Sequence, residues 1–266
     1  MTVFKKQLIH MAAGLLLTLS GVAAAASHLE RVLATKELRV CIWPDYFAVT
    51  YRDPRTGMLG GIDIDLAREL AHELDAQLTF VDSSFATLIS DLQADRCDVA
   101  MFGIATTLRR ARDLTFTQPH LSSGIYAIAT RTQTRIRRWE DIDRKGVIVA
   151  VQAGTYMQPV MQQTLKNATL SVVDGPLARE HEVQAGRADV FMTDYPYSQR
   201  MLATYDWAQR IEPAQPFAPT PYAWAIARGD FDWLNYLNLF IATIKHDGRL
   251  AAAAERNGLS AIVIHD

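Results

Sequence analysis

The sequence predicts an α/β protein that consists of two similar units. Short apolar runs alternate with segments of helical periodicity from Leu38 to Phe102, and the same order recurs from Val147 to Met192. This alternation favours mostly parallel sheets that are flanked by helices. Of the 266 residues, 49% are hydrophobic and 21% are charged, so the chain has enough apolar side chain to form such cores, which excludes a disordered protein.

The first 26 residues have the composition of an export signal. Lys5 and Lys6 form a basic start, the stretch from Leu8 to Val22 is mostly apolar, and the alanines that follow suit signal-peptidase cleavage after Ala26. The apolar run is shorter than the ~20 residues that a membrane anchor needs, so a cleaved leader is favoured over an anchor. We therefore expect a soluble, exported chain.

The elements of the first unit follow from their residue patterns. Strands are predicted at Leu38–Ile42, Leu78–Val81 and Asp98–Phe102. Between the first two, apolar residues from Ile64 to Leu74 repeat at helical spacing, and a second helix is predicted after the candidate N-cap Ser84. The apolar face of that second helix is predicted to be Phe85, Leu88, Ile89 and Leu92.

The second unit repeats this order. Its strands are predicted at Val147–Val151, Leu170–Val173 and Asp189–Met192. Helices are predicted between them at Tyr156–Leu165 and Ala178–Ala185. The last segment, from Asp232 to Asn257, is rich in alanine and is predicted to be helical.

Charge and motifs exclude several classes of function. The formal net charge is −2 and no nucleic-acid-binding motif is present, so no nucleic-acid partner is expected. The chain contains no Gly-rich phosphate loop, no Gly-x-Ser-x-Gly nucleophile elbow and no His-Glu-x-x-His metal motif, and its seven histidines are scattered. We therefore expect no cofactor, no metal site and no catalytic residue.

Four groups of motifs, in order, resemble the solute-binding proteins of polar amino-acid ABC transporters, which form family 3 of these proteins. The motifs are Asp45–Tyr51 with Gly60–Ala67, Cys97–Ile104 with Thr107–Arg110 and Phe116–Pro119, Val149–Thr155, and Gly186–Asp194. For example, Val149–Thr155 is similar to the family pattern Val-x-Val-Gln-x-Gly-Thr. The resemblance covers nearly all of Leu29 to Leu259.

The resemblance implies a two-lobed periplasmic-binding-protein fold of type II, in which two crossover strands near Ile125–Thr130 and Ala223–Ala227 join the lobes. Residues 27–127 would begin lobe 1, residues 128–223 would form lobe 2, and residues 224–266 would return to lobe 1. The implied function is to capture a small amino-acid-like solute in the periplasm as the lobes close. The monomeric protein would then deliver it to an ABC permease without catalysis.

Two charged site residues are implied by this resemblance. Arg110 aligns with the arginine that binds the ligand carboxylate, because a guanidinium makes a planar bidentate pair that lysine cannot reproduce. Asp194 resembles the aspartate that receives the ligand's α-ammonium group. Its alternative role is a helix N-cap, and the two roles are compatible.

Backbone groups complete the polar part of the implied site. Gly154 and Thr155 precede a helix, so their N–H groups and the hydroxyl can hold a carboxylate, with a plain tight turn as the alternative. Gly103 and Ala105 would offer backbone groups in the same way. These two positions lack the hydroxyl that the family often carries there.

Four aromatic residues are predicted to line the site. Tyr46 and Phe85 occupy places where the family packs aromatic rings on the ligand. Trp43 lies where binders of basic amino acids carry an acid, and Tyr156 replaces a threonine; core packing is the alternative for both. The expected ligand is therefore a neutral, apolar or aromatic amino acid or a related carboxylate.

The principal alternative is an enzyme on the same scaffold. Cyclohexadienyl dehydratases, which act on arogenate or prephenate, resemble this family and need a general acid. In those enzymes a glutamate follows the Gly-Thr segment by two residues, whereas Met157 occupies that place here and no acidic residue lies between Thr155 and Lys166. A stand-alone binder that presents its closed form to a separate sensor is a further alternative.

The two cysteines leave two alternatives open. Cys41 and Cys97 are expected on neighbouring strands, and an exported chain permits a disulfide. By strand register, however, Cys97 is displaced towards the start of its strand, which can exceed the ~7 Å limit on Cα separation. Two buried thiols are therefore slightly favoured.

Overall fold

The computed structural model describes residues 27–175 and 177–265, so the predicted export signal lies outside the described residues. The helices are α1 His28–Thr35, α2 Ile62–Glu73, α3 Leu88–Gln93, α4 Leu108–Ala111, α5 Met157–Thr164, α6 Ala178–Gln184, α7 Tyr195–Thr204, α8 Phe231–His246 and α9 Arg249–Arg256. Two 3₁₀ turns lie at Trp139–Asp141 and Ser260–Ile262. None of the described helices combines the length and the apolar character that crossing a membrane requires.

The strands alternate with these helices along the chain. They are β1 Glu37–Ile42, β2 Asp45–Tyr46, β3 Thr50–Arg52, β4 Leu59–Gly60, β5 Gln77–Asp82, β6 Val99–Ala105, β7 Leu114–Phe116, β8 Leu121–Ser123, β9 Ile125–Thr130, β10 Ile148–Gln152, β11 Thr169–Val173, β12 Val190–Asp194, β13 Ala208–Ile211 and β14 Thr220–Ala227. The short strands β2, β3 and β4 form a small antiparallel sheet of their own.

Two larger sheets confirm the predicted fold class. The first has the order β5-β1-β6-β14-β7, with β8 beside β14, and the second has the order β11-β10-β12-β9-β13. In each sheet three strands are parallel, while the strands nearest the crossover run antiparallel. We call the part of the chain around the first sheet lobe 1 and the part around the second sheet lobe 2.

The chain passes between the lobes twice. It leaves lobe 1 at Gly124, between β8 and β9, and returns between β13 and β14. The N–H of Ile125 donates to the carbonyl of Phe217 at 2.9 Å, so the two connections lie side by side. Both passages lie a few residues before the predicted bounds at residues 127 and 223.

One apolar core fills lobe 1 and extends to Phe191 of lobe 2, and a second core lies within lobe 2, because parallel strands that are covered on both faces bury nearly every side chain. Every residue of β6 is buried. The largest side chains of the lobe 1 core are those of Trp224 and Trp233. Val149 and Met192 lie in the core of lobe 2.

Two predicted helices differ from the structure. The helix expected after Ser84 begins only at Leu88, and Phe85 lies in the preceding turn, where the Ser84 hydroxyl accepts a hydrogen bond from the N–H of Thr87 at 3.2 Å. The C-terminal helix is two helices, α8 and α9, because Gly248 adopts a φ of 87°, which glycine reaches without steric cost.

The prediction of two free thiols is wrong, since Cys41 and Cys97 form a disulfide with a Cα separation of 5.6 Å. The chain bends at Asp98, so Cys97 does not extend β6 in register. This bend is held by the N–H of Asp98, which donates to the carbonyl of Arg39 at 2.9 Å. The Asp98 carboxylate also accepts hydrogen bonds from the guanidinium groups of Arg31 and Arg39.

We expect the denatured, unreduced protein to take up no thiol-alkylating label, because both cysteines of the sequence lie in this bond. After reduction, mass spectrometry should show two labels on each chain. Labelling of the unreduced protein, after expression in an oxidising compartment, would contradict the disulfide.

Candidate functional site

A pocket lies between the two lobes, and nine of the ten predicted site residues line it. The predicted residues from lobe 1 are Trp43, Tyr46, Phe85, Gly103, Ala105 and Arg110. The predicted residues from lobe 2 are Thr155, Tyr156 and Asp194. The cavity between these side chains has a volume of about 30 Å³, because the two lobes lie close together in this structure.

Arg110 places a buried cation in this pocket. Helix α4 positions it, and Thr107 caps that helix by accepting a hydrogen bond from the N–H of Arg110 at 3.2 Å. The guanidinium donates to the carbonyl of Ala105 and to the carbonyl of Gly154, each at 3.0 Å. Within the part of the chain that the structure describes, no carboxylate pairs with it. Arg110 is therefore a desolvated cation whose partners are neutral carbonyls.

The environment of Arg110 lowers its pKa, but the guanidinium keeps its charge. The residue is only 8% exposed, and this burial lowers the pKa of Arg110 to about 10. At neutral pH the guanidinium is still protonated. Its central carbon lies 5.5 Å from the centre of the Phe85 ring, whose face stabilises a cation. The group is thus prepared to bind an anion.

Asp194 is the acidic counterpart at the end of β12. One carboxylate oxygen accepts a hydrogen bond from the N–H of Tyr197 at 3.2 Å, so Asp194 is the N-cap of α7, as one of its two predicted roles required. The other oxygen accepts hydrogen bonds from the hydroxyls of Tyr46 and, at 2.8 Å, Tyr222. Burial raises the pKa of Asp194, although the two tyrosine hydrogen bonds oppose that change.

The two tyrosines act as donors to this carboxylate. Burial, followed by the nearby charge of Asp194, raises the pKa of Tyr46 and of Tyr222 well above the ordinary value. Both hydroxyls therefore keep their protons at neutral pH. Since Tyr46 belongs to lobe 1 and Asp194 to lobe 2, their hydrogen bond joins the lobes across the pocket, as does the bond from Arg110 to Gly154.

Aromatic rings form the apolar side of the pocket. The ring of Trp43 lies 5.4 Å from that of Tyr46 and 5.2 Å from that of Phe85, both in tilted or edge-to-face contacts. Gly103 allows this packing, because a Cβ at its position would lie 2.9 Å from Cε1 of Tyr46. Gly103 also has a φ of 59°, which side chains rarely adopt. The pocket thus combines two charged groups with an aromatic wall.

The Gly154–Thr155 turn differs in detail from the expectation. The N–H of Gly154 donates to the side chain of Gln158 at 3.0 Å, and its carbonyl, rather than its amide, meets Arg110. The Thr155 hydroxyl donates to the carbonyl of Gln152 at 2.7 Å, as in a tight turn. Gly154 is the one predicted site residue that does not line the pocket. Its amide is already used in the turn.

The sequence did not indicate several other lining residues. Arg179, Thr193, Tyr197 and Tyr222 line the pocket as well, and so does Met157. Arg179 is buried, donates to Glu180 at 3.2 Å and stacks on the ring of Tyr197 at 4.2 Å. Burial, the largest single cause, favours a lower pKa for Arg179, but Glu180, Tyr197 and Asp194 together outweigh it and raise this pKa. Helix α6 is short, so its sequence pattern does not indicate that Arg179 is buried.

A cluster with metal-ligand chemistry lies outside the pocket. His28, Asp95 and Asp98 bring their ligand atoms within 4.8 Å of one another. However, the carboxylates of Asp95 and Asp98 both pair with Arg39. This cluster is therefore an ion-pair network that joins α1 to the start of β6.

Comparisons with known proteins agree with this fold. The model of the bacterial extracellular solute-binding proteins of family 3 matches residues 38–259. Cyclohexadienyl dehydratase of Pseudomonas aeruginosa is 30% identical over 241 residues, 90% of this chain and 89% of that protein. The L-cystine-binding protein TcyJ of Escherichia coli is 23% identical over 205 residues, 75% of this chain and 74% of that protein.

A solved structure is similar over nearly its whole length. It is an ancestral amino acid-binding protein that is described as a precursor of cyclohexadienyl dehydratase. It matches with a TM-score of 0.79 and 28% identity, and the match covers 86% of this chain and 99% of the other. The chain is thus similar both to binding proteins and to an enzyme.

Proposed function

The chain belongs to the bacterial extracellular solute-binding proteins of family 3, and on that premise we propose that it binds a small amino-acid-like solute between its lobes. It would do so in the periplasm, as a monomer, and deliver the solute to an ABC permease. The observation that carries this proposal is the pair of buried opposite charges, Arg110 and Asp194, in one ring-lined pocket between the lobes.

The two charges match the two ends of an α-amino acid. The ligand carboxylate would replace the carbonyls of Ala105 and Gly154 as the partner of Arg110, because a charge-assisted bidentate pair is stronger than a bond to a neutral carbonyl. The α-ammonium group would contact Asp194 and the oxygens of its two tyrosine partners. Low solvent access strengthens both contacts, and no cofactor is needed.

The rings determine the kind of side chain that fits. Trp43, Phe85 and Tyr156 line the pocket, and Asp194 is the one acidic residue among the described lining residues. Since that carboxylate would hold the α-ammonium group, a cationic side chain would find no acid of its own. A neutral, apolar or aromatic amino acid, or a related carboxylate, is the proposed ligand.

We expect a thermal-shift screen of residues 27–266 against the common amino acids to identify this ligand. A ligand at ~100 times its dissociation constant adds about 2.7 kcal/mol of stability. That should raise the melting temperature by roughly 5–10 °C for a chain of this size. Partial unfolding must first remove any ligand that is carried through purification. No shift with any amino acid would contradict the proposal, as would tight binding of arginine or lysine with weak binding of neutral amino acids.

The second candidate is a cyclohexadienyl dehydratase, which is favoured by the 30% identity to that enzyme over 90% of this chain. Met157 supplies no acid for this chemistry, so we assign that role to Asp194, the one acidic residue among the described lining residues, whose pKa is raised by burial. Incubation with arogenate and prephenate, followed by product analysis, separates the two functions. Conversion of either compound supports the enzyme, and recovery of an unchanged bound amino acid supports the binding protein.

A further inference from the structure

A second cavity, which we call the outer chamber, adjoins the ligand pocket between the lobes. It encloses about 590 Å³ of empty space, its open mouth included. Its lining includes the charged residues Asp45, Arg52, Glu180 and Arg200. Three residues, Trp43, Arg179 and Tyr197, line both the outer chamber and the ligand pocket, so they form the wall between the two spaces.

Both lobes contribute to this wall. Trp43 comes from lobe 1, directly after β1, whereas Arg179 and Tyr197 come from α6 and α7 of lobe 2. Because the two sides belong to different lobes, the wall exists only when the lobes are together, as they are in this structure.

Each side of the wall is held by defined contacts. The backbone carbonyl of Trp43 accepts hydrogen bonds from the Thr50 hydroxyl at 2.7 Å and from the N–H of Tyr46 at 3.2 Å. On the other side, Arg179 donates to Glu180 and stacks on Tyr197. The indole itself packs against the rings of Tyr46 and Phe85, at 5.4 and 5.2 Å between ring centres, and this packing opposes its displacement by a ligand side chain.

We propose that Trp43 selects ligands by length, because its indole closes the outer end of the pocket against Arg179 and Tyr197. This inference rests on the proposed function and adds that the site discriminates ligands by the length of their side chains. A side chain about as long as that of phenylalanine ends at the indole. A longer cationic side chain must displace the indole before its charge reaches the outer chamber, where Asp45 offers a half-buried carboxylate.

The test compares phenylalanine and arginine as probes, with dissociation constants measured by calorimetry. The wild-type protein should bind arginine at least ~10-fold more weakly than phenylalanine. Trp43→Ala should reduce that preference at least ~10-fold, through tighter arginine binding, weaker phenylalanine binding or both. Trp207→Ala is the matched control, because Trp207 is a tryptophan that lines neither the ligand pocket nor the outer chamber. It should leave the preference unchanged.

The outcomes separate the inference from the function. If Trp43→Ala binds phenylalanine with the same preference over arginine as the wild type, the proposed role of Trp43 is wrong. An equal change of preference in Trp207→Ala would also contradict it. Binding of neither probe by the wild-type protein would overturn the proposed function together with the inference. If Trp43→Ala does not fold, Trp43→Leu should show a smaller loss of the preference for phenylalanine over arginine. An unchanged preference in that variant would also contradict the proposed role of Trp43.

Discussion

Arg110→Ala is expected to weaken binding of the amino-acid ligand at least ~30-fold, which corresponds to ~2 kcal/mol, while the fold survives. The guanidinium is buried, and its partners are the neutral carbonyls of Ala105 and Gly154. Its removal would leave a bound carboxylate desolvated and without a counterion, which costs more than the loss of an exposed ion pair. Calorimetric titration of both proteins with the ligand from the thermal screen measures the loss.

Two further variants test whether the effect comes from the guanidinium itself. Arg109→Ala is the matched control, because Arg109 is the exposed neighbour of Arg110 on the same helix. The affinity of this variant for the ligand should equal that of the wild type. Arg110→Lys should recover only part of the affinity, because an ammonium group keeps the charge but not the planar pair. Equal affinities for wild type and Arg110→Ala would remove Arg110 from the site.

Asp194→Asn is expected to weaken binding of an α-amino acid by a similar factor, at least ~30-fold, because the α-ammonium group loses its buried counterion. The substitution keeps an oxygen that can cap α7 through the N–H of Tyr197, so the lobe should remain folded. A ligand analogue that lacks the amino group provides the comparison. Its affinity should change much less, and an equal loss for both compounds would show that Asp194 does not bind the ammonium group.

The same contact predicts a dependence on pH. Burial raises the pKa of Asp194 above its ordinary value of 3.8, so a proton competes with the ligand's ammonium group at a higher pH than at an exposed carboxyl. Affinity for an α-amino acid should therefore fall as the pH is lowered from 7 through this raised pKa. In Asp194→Asn that fall should be absent. Titration calorimetry at several pH values measures both profiles.

For the unliganded protein, the stability changes with pH in the opposite direction. A carboxyl with a raised pKa in the folded state binds its proton more tightly there than in the unfolded chain. Asp194 therefore lowers the free energy of unfolding at neutral pH. This cost declines as the pH falls through the raised pKa and is gone below the ordinary value of 3.8. A bound ammonium group stabilises the ionised carboxylate of Asp194. The ligand should therefore increase the free energy of unfolding most near neutral pH.

The fold class, the family and most of the pocket lining could be predicted from the amino-acid sequence. Alternation of apolar runs and helical periodicity is a local property, and it correctly placed strands such as β1 and β10 within one or two residues. The ordered motifs identified the family and brought forward Arg110 and Asp194. Asp194 is the last residue of β12 and Arg110 lies shortly after the end of β6, and the carboxyl ends of strands in such sheets border the cleft. The binding roles of these residues remain predictions.

Contacts between residues that are distant in the sequence could not be predicted in this way. Tyr222, on a strand that returns to lobe 1 late in the chain, donates to Asp194, and no local pattern indicates that contact. The disulfide depended on the bend at Asp98, which strand register does not reveal. The wall of Trp43 against Arg179 requires two lobes to approach each other. Periodicity reports which face of an element is buried, whereas pairing across a cleft depends on three-dimensional packing that no short segment contains.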